Sequence, residues 1–181
     1  MKIILIRHGM TEGNLKRRYI GTTDEDLINT DCLKGDYPKC ERIVASPLKR
    51  CIQTAEYIYP NVDIEICDKL KECDFGDFEN KSYEDLKDNP DYQKWIDSNG
   101  ELPFPNGETH EDFKNRCKDG FFESLTERDT AFVIHGGSIM AIMQKLFGGN
   151  FYDYQVKNGC GYEFEMRNGE IVDDYSPIGC G

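Results

Sequence analysis

The chain opens MKIILIRHGMTEGN (residues 1–14), where a short apolar run, Ile3 to Ile6, meets Arg7, His8 and Gly9 without a break. Consecutive aliphatic residues after Lys2 read as a buried strand, Lys2 to Ile6, since a strand covered on both faces has no polar side to alternate with. The pattern returns late in the chain. TAFVIHGG (residues 130–137) is an apolar strand, Thr130 to Ile134, that breaks into His135, Gly136 and Gly137. Glycine behind each histidine lets the backbone turn sharply and approach a ligand closely. One such end could be a capping histidine. Two with the same local pattern, one preceded by arginine, point to a shared site.

Working outward, RIVA (residues 42–45) reads as a second strand. Ser46 and Pro47 then open a helix, with Ser46 as its cap and Pro47 in its first turn. That helix runs through LKRCIQTAEYIY and stops near Pro60. NVDIEIC (residues 61–67) alternates and is expected as a third strand nearer a sheet edge. Short helices are expected over 82–86 and 91–97, divided by Asn89-Pro90, and a longer amphipathic one over 109–125. GELPFPNGE (residues 100–108) is a loop, and SIMAIMQKLFG (residues 138–148) an apolar helix. GYEFEMRNGEIVDDY (residues 161–175) reads as a terminal hairpin turning at Asn168-Gly169. Alternating strands and helices predict an α/β fold: a single-domain three-layer α/β/α sandwich with a mainly parallel central sheet, spanning residues 1–181. Ligands gather at the carboxyl ends of strands in such sheets. His8 and His135 both fall there. His110, in a polar helix start, is expected on the surface.

A chain of 181 residues has room for a sizeable core. Its net charge is −12. The overall field therefore repels nucleic acid and anionic membranes, and neither is an expected partner. An anionic substrate needs a local cationic pocket built from a few placed residues. The apolar start is too short to span a membrane, no signal-peptide pattern is present, and the expected location is the cytoplasm. Eight cysteines without a CxxC pair read as mostly reduced, small apolar filler rather than metal or redox sites. Cys160 and Cys180 stand apart in a Gly-rich tail. A homodimer is left open.

The side chains at the strand ends suit phosphate. Arg7 offers a planar fork for phosphate oxygens. Arg50 sits in the first turns of the helix after the second strand, at the same edge, while its neighbour Lys49 is left to solvent. Asn14 follows in the loop after the first strand; it is a turn residue or an amide donor to an oxygen. A neutral histidine nitrogen can act as nucleophile. A carboxyl with a raised pKa can then protonate the departing oxygen. Position after a strand narrows that acid to Asp68, Glu72 and Asp74.

In these residues the sequence resembles the histidine phosphatase superfamily, in the branch of cofactor-dependent phosphoglycerate mutases and many small phosphatases. The resemblance rests on an ordered set: LIRHGMTEGN (5–14), RYIGTTDEDL (18–27), ASPLKRCIQTAEYI (45–58), LKECDFGDFEN (70–80), PNGETHEDFKNRC (105–117) and VIHGGSIMAIM (133–143). It implies a phosphoglycerate mutase-like fold and a phosphoric monoester hydrolase of the histidine acid phosphatase type. His8 would be the nucleophile that becomes phosphohistidine. Arg7, Arg50 and a protonated His135 would form the anion pocket. Asn14, Gly21 and a backbone amide near Gly136 would add substrate contacts. Glu72 would protonate the leaving alkoxide and then activate water. The resemblance implies no metal and no cofactor, and a small phosphorylated metabolite as partner.

Two departures separate the chain from the mutases it resembles. Cys73 follows the acid where mutases place an arginine, and the stretch EDLKDNPDYQKWIDSNGELPFPNGE (residues 84–108) is short and acidic where they carry a longer basic insertion. Both favour transfer to water, since a mutase must shield its phosphohistidine. Among the phosphatases, FGDFE (75–79), YQKWID (92–97), PNGE (105–108) and VKNGCGYEFEM (156–166) are most similar to the alpha-ribazole phosphatases. Alternatives are a mutase, a broad-specificity sugar phosphatase and, less supported, a non-catalytic phosphate-binding module. The family's usual helix between the first two strands faces LINTDCLKGDYPKCE (residues 27–41) here, so a short or irregular connection is expected. Met10, where relatives often carry an acid, is expected to pack near the pocket.

Overall fold

The computed structural model describes residues 1–179. The elements run β1 (Lys2–Arg7), α1 (Glu12–Leu15), β2 (Arg42–Ala45), α2 (Lys49–Ile58), β3 (Ile64–Ile66), α3 (Tyr83–Leu86), α4 (Pro90–Asp97), α5 (His110–Glu123), β4 (Thr130–Ile134), α6 (Gly136–Phe147), β5 (Gly161–Arg167), β6 (Glu170–Ile171) and β7 (Ser176–Ile178). The described residues form a seven-stranded sheet in the order β3-β2-β4-β1-β5-β6, with β7 also paired to β5. Strands β1 to β4 are parallel. The carboxy-terminal strands run antiparallel against them.

The apolar run of β1 is explained by its place. It pairs β4 on one side and β5 on the other, so both edges are hydrogen-bonded. Its side chains alternate between two cores: Ile3 and Leu5 pack with Phe121, Ile139 and Met143 of α5 and α6. Ile4 and Ile6 pack with Cys51 and Ala55 of α2 on the opposite face. Helices therefore cover both faces, giving the expected three layers. A third core, around Phe78, Tyr92 and Phe104, gathers α3, α4 and the 100–108 loop beside the sheet's carboxyl edge.

The register of β1 and β4 places the site. Arg7 is the partner of Ile134, and the His8 amide donates to the Ile134 carbonyl at 2.9 Å. Residues following two in-register parallel strands emerge side by side, so His8 and His135 are neighbours by topology.

Several expectations are corrected in detail. Ser46 does not cap α2, which begins at Lys49 after Leu48 with no side-chain cap; Ser46 is turned inward to His135 instead. The third strand shrinks to Ile64–Ile66, at the sheet edge as expected. The connection from β1 to β2 holds only one turn at Glu12–Leu15 and a 3-10 turn at Asp31–Leu33. Gly35 there packs against Gly179, where an added Cβ would lie 2.7 Å from the carbonyl. Strand β7 had no expectation; Pro177 in its centre masked it. The hairpin turn at Asn168-Gly169 stands, with φ of 54° and 81° as a mirror-image turn requires. Among the described residues no helix is long and apolar enough to cross a membrane. Cys32, Cys40, Cys51, Cys67, Cys73 and Cys117 are free thiols; Cys180 lies outside the described residues.

Candidate active site

A pocket of about 390 Å³ opens at the carboxyl edge, with Arg7, His8, Asn14, Glu72 and Gly136 in its lining. His8 is 3 % exposed. Its Nδ1 lies 2.7 Å from the Gly9 carbonyl. A carbonyl can only accept, so Nδ1 carries the proton and Nε2 keeps its lone pair. Gly9 is fixed in turn by Thr54, whose Oγ1 accepts its amide at 2.8 Å and donates to the Arg50 carbonyl at 2.6 Å. Burial, then the charges of Arg50 and Arg7, hold the His8 pKa well below its ordinary value of 6.5. The ring is neutral at physiological pH.

His135 is fully buried behind the pocket wall, its ring centroid 5.2 Å from that of His8. Its Nε2 lies 2.7 Å from Ser46 Oγ and 3.5 Å from Cys51 Sγ. Burial, with Arg50, His8 and Arg7, also depresses its pKa well below 6.5. The expectation of a protonated His135 runs against this environment, and the arginines carry the positive charge.

Arg7 lines the pocket and donates from Nη1 to the Val156 carbonyl at 2.7 Å. Arg50 is fully buried and sits behind the lining. Its guanidinium donates to the carbonyls of Thr23 at 2.7 Å and Gly21 at 2.9 Å. The Nε of each arginine is buried without a partner. Buried donors are rarely left orphaned.

Gly21 stands apart from the pocket. Its amide is already given to Glu79 Oε1 at 2.9 Å, and an added Cβ would meet the Cys73 carbonyl at 1.9 Å. It seats Arg50 by close packing, which corrects its expected role as a substrate contact. Asn14 is in place: its Oδ1 accepts from Asn158 Nδ2 at 3.0 Å and from the Thr11 amide at 3.3 Å. Those bonds orient its amide group, and its Nδ2 is left as the free donor.

Glu72 is the acid the fold brings to the pocket; Asp68 and Asp74 are not in its lining. Burial raises the Glu72 carboxyl above its ordinary 4.5, against the lowering effect of amides from Cys73 and Gly137 and of Arg50 and Arg7. The Gly137 amide donates to Oε2 at 3.1 Å, and the Cys73 amide to Oε1 at 3.0 Å. An added Cβ at Gly137 would lie 2.3 Å from Oε1, so only glycine allows this approach. Both glycines that open α6 line the pocket, and Gly137's amide is spent on Glu72.

Sequence reading missed three supports. Arg116 clamps Glu108 at 2.7 and 2.8 Å and donates to the carbonyls of Lys69, Lys71 and Glu72, fixing the segment that carries the acid. Its place in NGETHEDFKNRC was the available signal. Asn158 donates to the carbonyls of His8 and Gly9 at 3.0 and 3.2 Å; its place in VKNGCGYEFEM was the signal there. His110 is not a simple surface residue: it lines the pocket, edge-on to Phe151 at 4.7 Å. Outward of the polar floor, the wall is aromatic, with Tyr19, Phe75, Trp95, Phe104, Phe113 and Phe151. Met10 is outside this pocket and lines a neighbouring recess. Among the described residues no group of three or more His, Cys, Asp or Glu is placed to hold a metal ion.

A tautomer-fixed histidine, the buried Arg50, the half-buried Arg7 and a carboxyl with a raised pKa gather at one pocket edge, and the chain belongs to the histidine phosphatase superfamily (branch 1), whose model matches residues 3–173. Its relatives include an uncharacterized phosphatase PhoE of Bacillus subtilis, 33% identical with 94% of this chain and 92% of that protein covered. An adenosylcobalamin/alpha-ribazole phosphatase of Salmonella typhimurium is 25% identical, over 93% and 92% of the two chains. Among solved structures, one of a putative alpha-ribazole-5'-P phosphatase from Escherichia coli shares the fold with a TM-score of 0.83, at 22% identity over 95% and 93% of the chains.

Proposed function

We propose that this chain is a phosphomonoesterase that needs no metal, works through a phosphohistidine and acts on a small phosphorylated metabolite in the cytoplasm. The observation that carries the reading is the pairing, in one pocket, of a neutral His8 with a free Nε2 and a Glu72 whose surroundings favour its protonated form. The first step needs a lone pair on the histidine and a proton on the acid, and these surroundings shift both groups in that direction.

In that step Arg7 and Asn14 hold the phosphoryl oxygens, and Arg50 behind them adds positive charge to the anion pocket. His8 Nε2 attacks phosphorus, the bond to the leaving oxygen breaks, and Glu72 passes its proton to the alkoxide. In the second step the Glu72 carboxylate takes a proton from water. The water oxygen attacks phosphorus, the P–N bond breaks and inorganic phosphate leaves. His8 returns to its neutral form and Glu72 to its acid form.

The aromatic wall supports a leaving group with an aromatic ring, since such rings stack for roughly 1–3 kcal/mol each. Alpha-ribazole 5′-phosphate is the specific candidate of that kind, and the similarity to the Salmonella relative supports it. A mutase is the second reading; Cys73 in place of a cationic neighbour to Glu72 speaks against it. The test is turnover of a chromogenic phosphate ester in EDTA, with His8→Ala alongside and a panel that includes alpha-ribazole 5′-phosphate and phosphoglycerates. Loss of turnover in chelator, or full activity in His8→Ala, sinks the reading. Isomerised phosphoglycerate would replace it with the mutase.

A further inference from the structure

Of FGDFE (75–79), only Phe75 lines the catalytic pocket, yet the segment ends on a carboxylate with an unusual set of partners. Phe78 is fully buried in the third core and closes a 3-10 turn, Gly76–Phe78. Glu79 follows it at once, so the anchored ring holds the carboxylate in place. Glu79 Oε1 accepts from the Gly21 amide at 2.9 Å, the Thr23 amide at 2.9 Å and the Thr23 hydroxyl at 2.8 Å. Its Oε2 is buried with no partner. The hydrogen bonding of this carboxylate is therefore spent on one short loop.

Arg50 meets the same loop from the other side. Its guanidinium donates to the carbonyls of Thr23 at 2.7 Å and Gly21 at 2.9 Å, and more weakly to that of Ile20 at 3.4 Å. Gly21 and Thr23 thus each give an N–H to Glu79 and a C=O to Arg50. The amides turn their positive ends to the anion and the carbonyls their negative ends to the cation. Among the described residues neither Glu79 nor Arg50 forms an ion pair. A buried guanidinium needs acceptors held for it, and here a carboxylate holds them through two intervening residues. The far end of the loop is pinned separately. Asp24 Oδ1 accepts from the Lys49 amide at 2.8 Å, and Gln53 Oε1 from the Leu27 amide at 2.8 Å. Glu79 sets the near end, where the carbonyls face Arg50.

We propose that Glu79 is a positioning residue for Arg50: it holds Gly21 and Thr23 so that their carbonyls keep the guanidinium at the back of the anion pocket. Glu79 itself lines no part of that pocket. It acts on the affinity for a phosphoryl group without touching the substrate. The inference rests on the phosphomonoesterase reading of the pocket.

The experiment is a double-mutant cycle read by calorimetric titration with inorganic phosphate, with kinetics on nitrophenyl phosphate alongside. Glu79→Ala should weaken phosphate binding about tenfold, as loss of one charge-assisted contact does, and KM for the ester should rise in step. Glu79→Gln keeps an acceptor oxygen on an arm of the same length and should restore most of the affinity. In an Arg50→Met background, Glu79→Ala should cost no further affinity, since a residue that acts through Arg50 then has nothing to position. Thermal melts of each variant separate stability from binding. A Glu79→Ala variant that melts lower but binds phosphate as the wild type does overturns the proposal. So does the full loss of affinity recurring in the Arg50→Met background. If Glu79→Ala does not fold, Glu79→Asp, one methylene shorter, takes its place under the same criteria. A wild type that binds phosphate and hydrolyses no ester fails the phosphomonoesterase reading alone, and the binding cycle still decides the role of Glu79.

Discussion

His8 and His135 face each other with ring centroids 5.2 Å apart, each held neutral by burial beside Arg50 and Arg7. Neither ring has a carboxylate as hydrogen-bond partner: His8 meets the Gly9 carbonyl, and His135 meets Ser46. Protonating either would bury a second charge beside two arginines. The pair therefore ties the protein's pH response to its chemistry.

Both histidines have folded pKa values depressed below 6.5, so the unfolded chain binds more protons than the folded one as pH falls through that value. The stability they confer is fully present above 6.5 and is lost progressively below it, down to their lowered values. Each contributes a slope of up to about 1.4 kcal/mol per pH unit in that window. Urea unfolding at pH 7.5, 6.5 and 5.5 should show this loss, and His8→Gln should remove roughly half of it. An unchanged slope in the variant would mean His8 is charged in the folded state.

Glu72→Gln should slow phosphoryl transfer from alkyl esters by roughly 10²–10⁴-fold, the usual weight of general acid catalysis. Nitrophenolate leaves without a proton, so its pre-steady-state burst from nitrophenyl phosphate should fall much less. The carboxyl's raised pKa means its acid form persists above pH 4.5. For alkyl esters, the basic limb of the burst-rate profile belongs to Glu72 and should disappear in the variant. Equal losses for both ester types would remove Glu72 from the role of acid.

Much of the site was legible because it follows from short-range grammar. Apolar strands ending in Arg7-His8-Gly9 and His135-Gly136 needed only the parallel pairing of β1 with β4 to bring the histidines together. What stayed hidden was long-range. Ser46 reads as a helix cap from its neighbours, yet its hydroxyl turns to His135, 89 positions away. Asn158 lies in a quoted stretch but its partners do not show there: its bonds to His8, Gly9 and Asn14 exist because β5 returns beside β1. Gly21 looked like a ligand contact, but close packing on Cys73 decides its identity. His110 looked solvated because the sequence does not show that Phe151 folds back over the start of α5. Local chemistry was readable; the groups that orient it across the sheet were not.

Gly137→Ala should act through Glu72. Its methyl would lie 2.3 Å from Glu72 Oε1 and 3.0 Å from Phe113. The carboxyl must move, while the overpacking costs about 1–3 kcal/mol. We expect kcat for alkyl esters to fall about a hundredfold with the fold retained, since a misplacement of about 1 Å has that effect. Circular dichroism melts and steady-state kinetics together check it. Wild-type kcat in a folded variant would show that Glu72 reaches its task from another position.

The aromatic wall predicts a split between leaving groups. Trp95 lies stacked on Tyr92, with centroids 6.0 Å apart and planes 16° from parallel, and lines the pocket outward of His8. Trp95→Leu keeps an apolar side chain but removes the flat face. Base–aromatic stacking is worth roughly 1–3 kcal/mol, so KM for naphthyl phosphate and alpha-ribazole 5′-phosphate should rise about tenfold. Glycerol 3-phosphate, with no ring to stack, should keep its KM, and kcat should stay put for all three because His8 and Glu72 are untouched. A uniform rise in KM would mean that Trp95 shapes the pocket as a whole and that the aromatic wall does not select the leaving group.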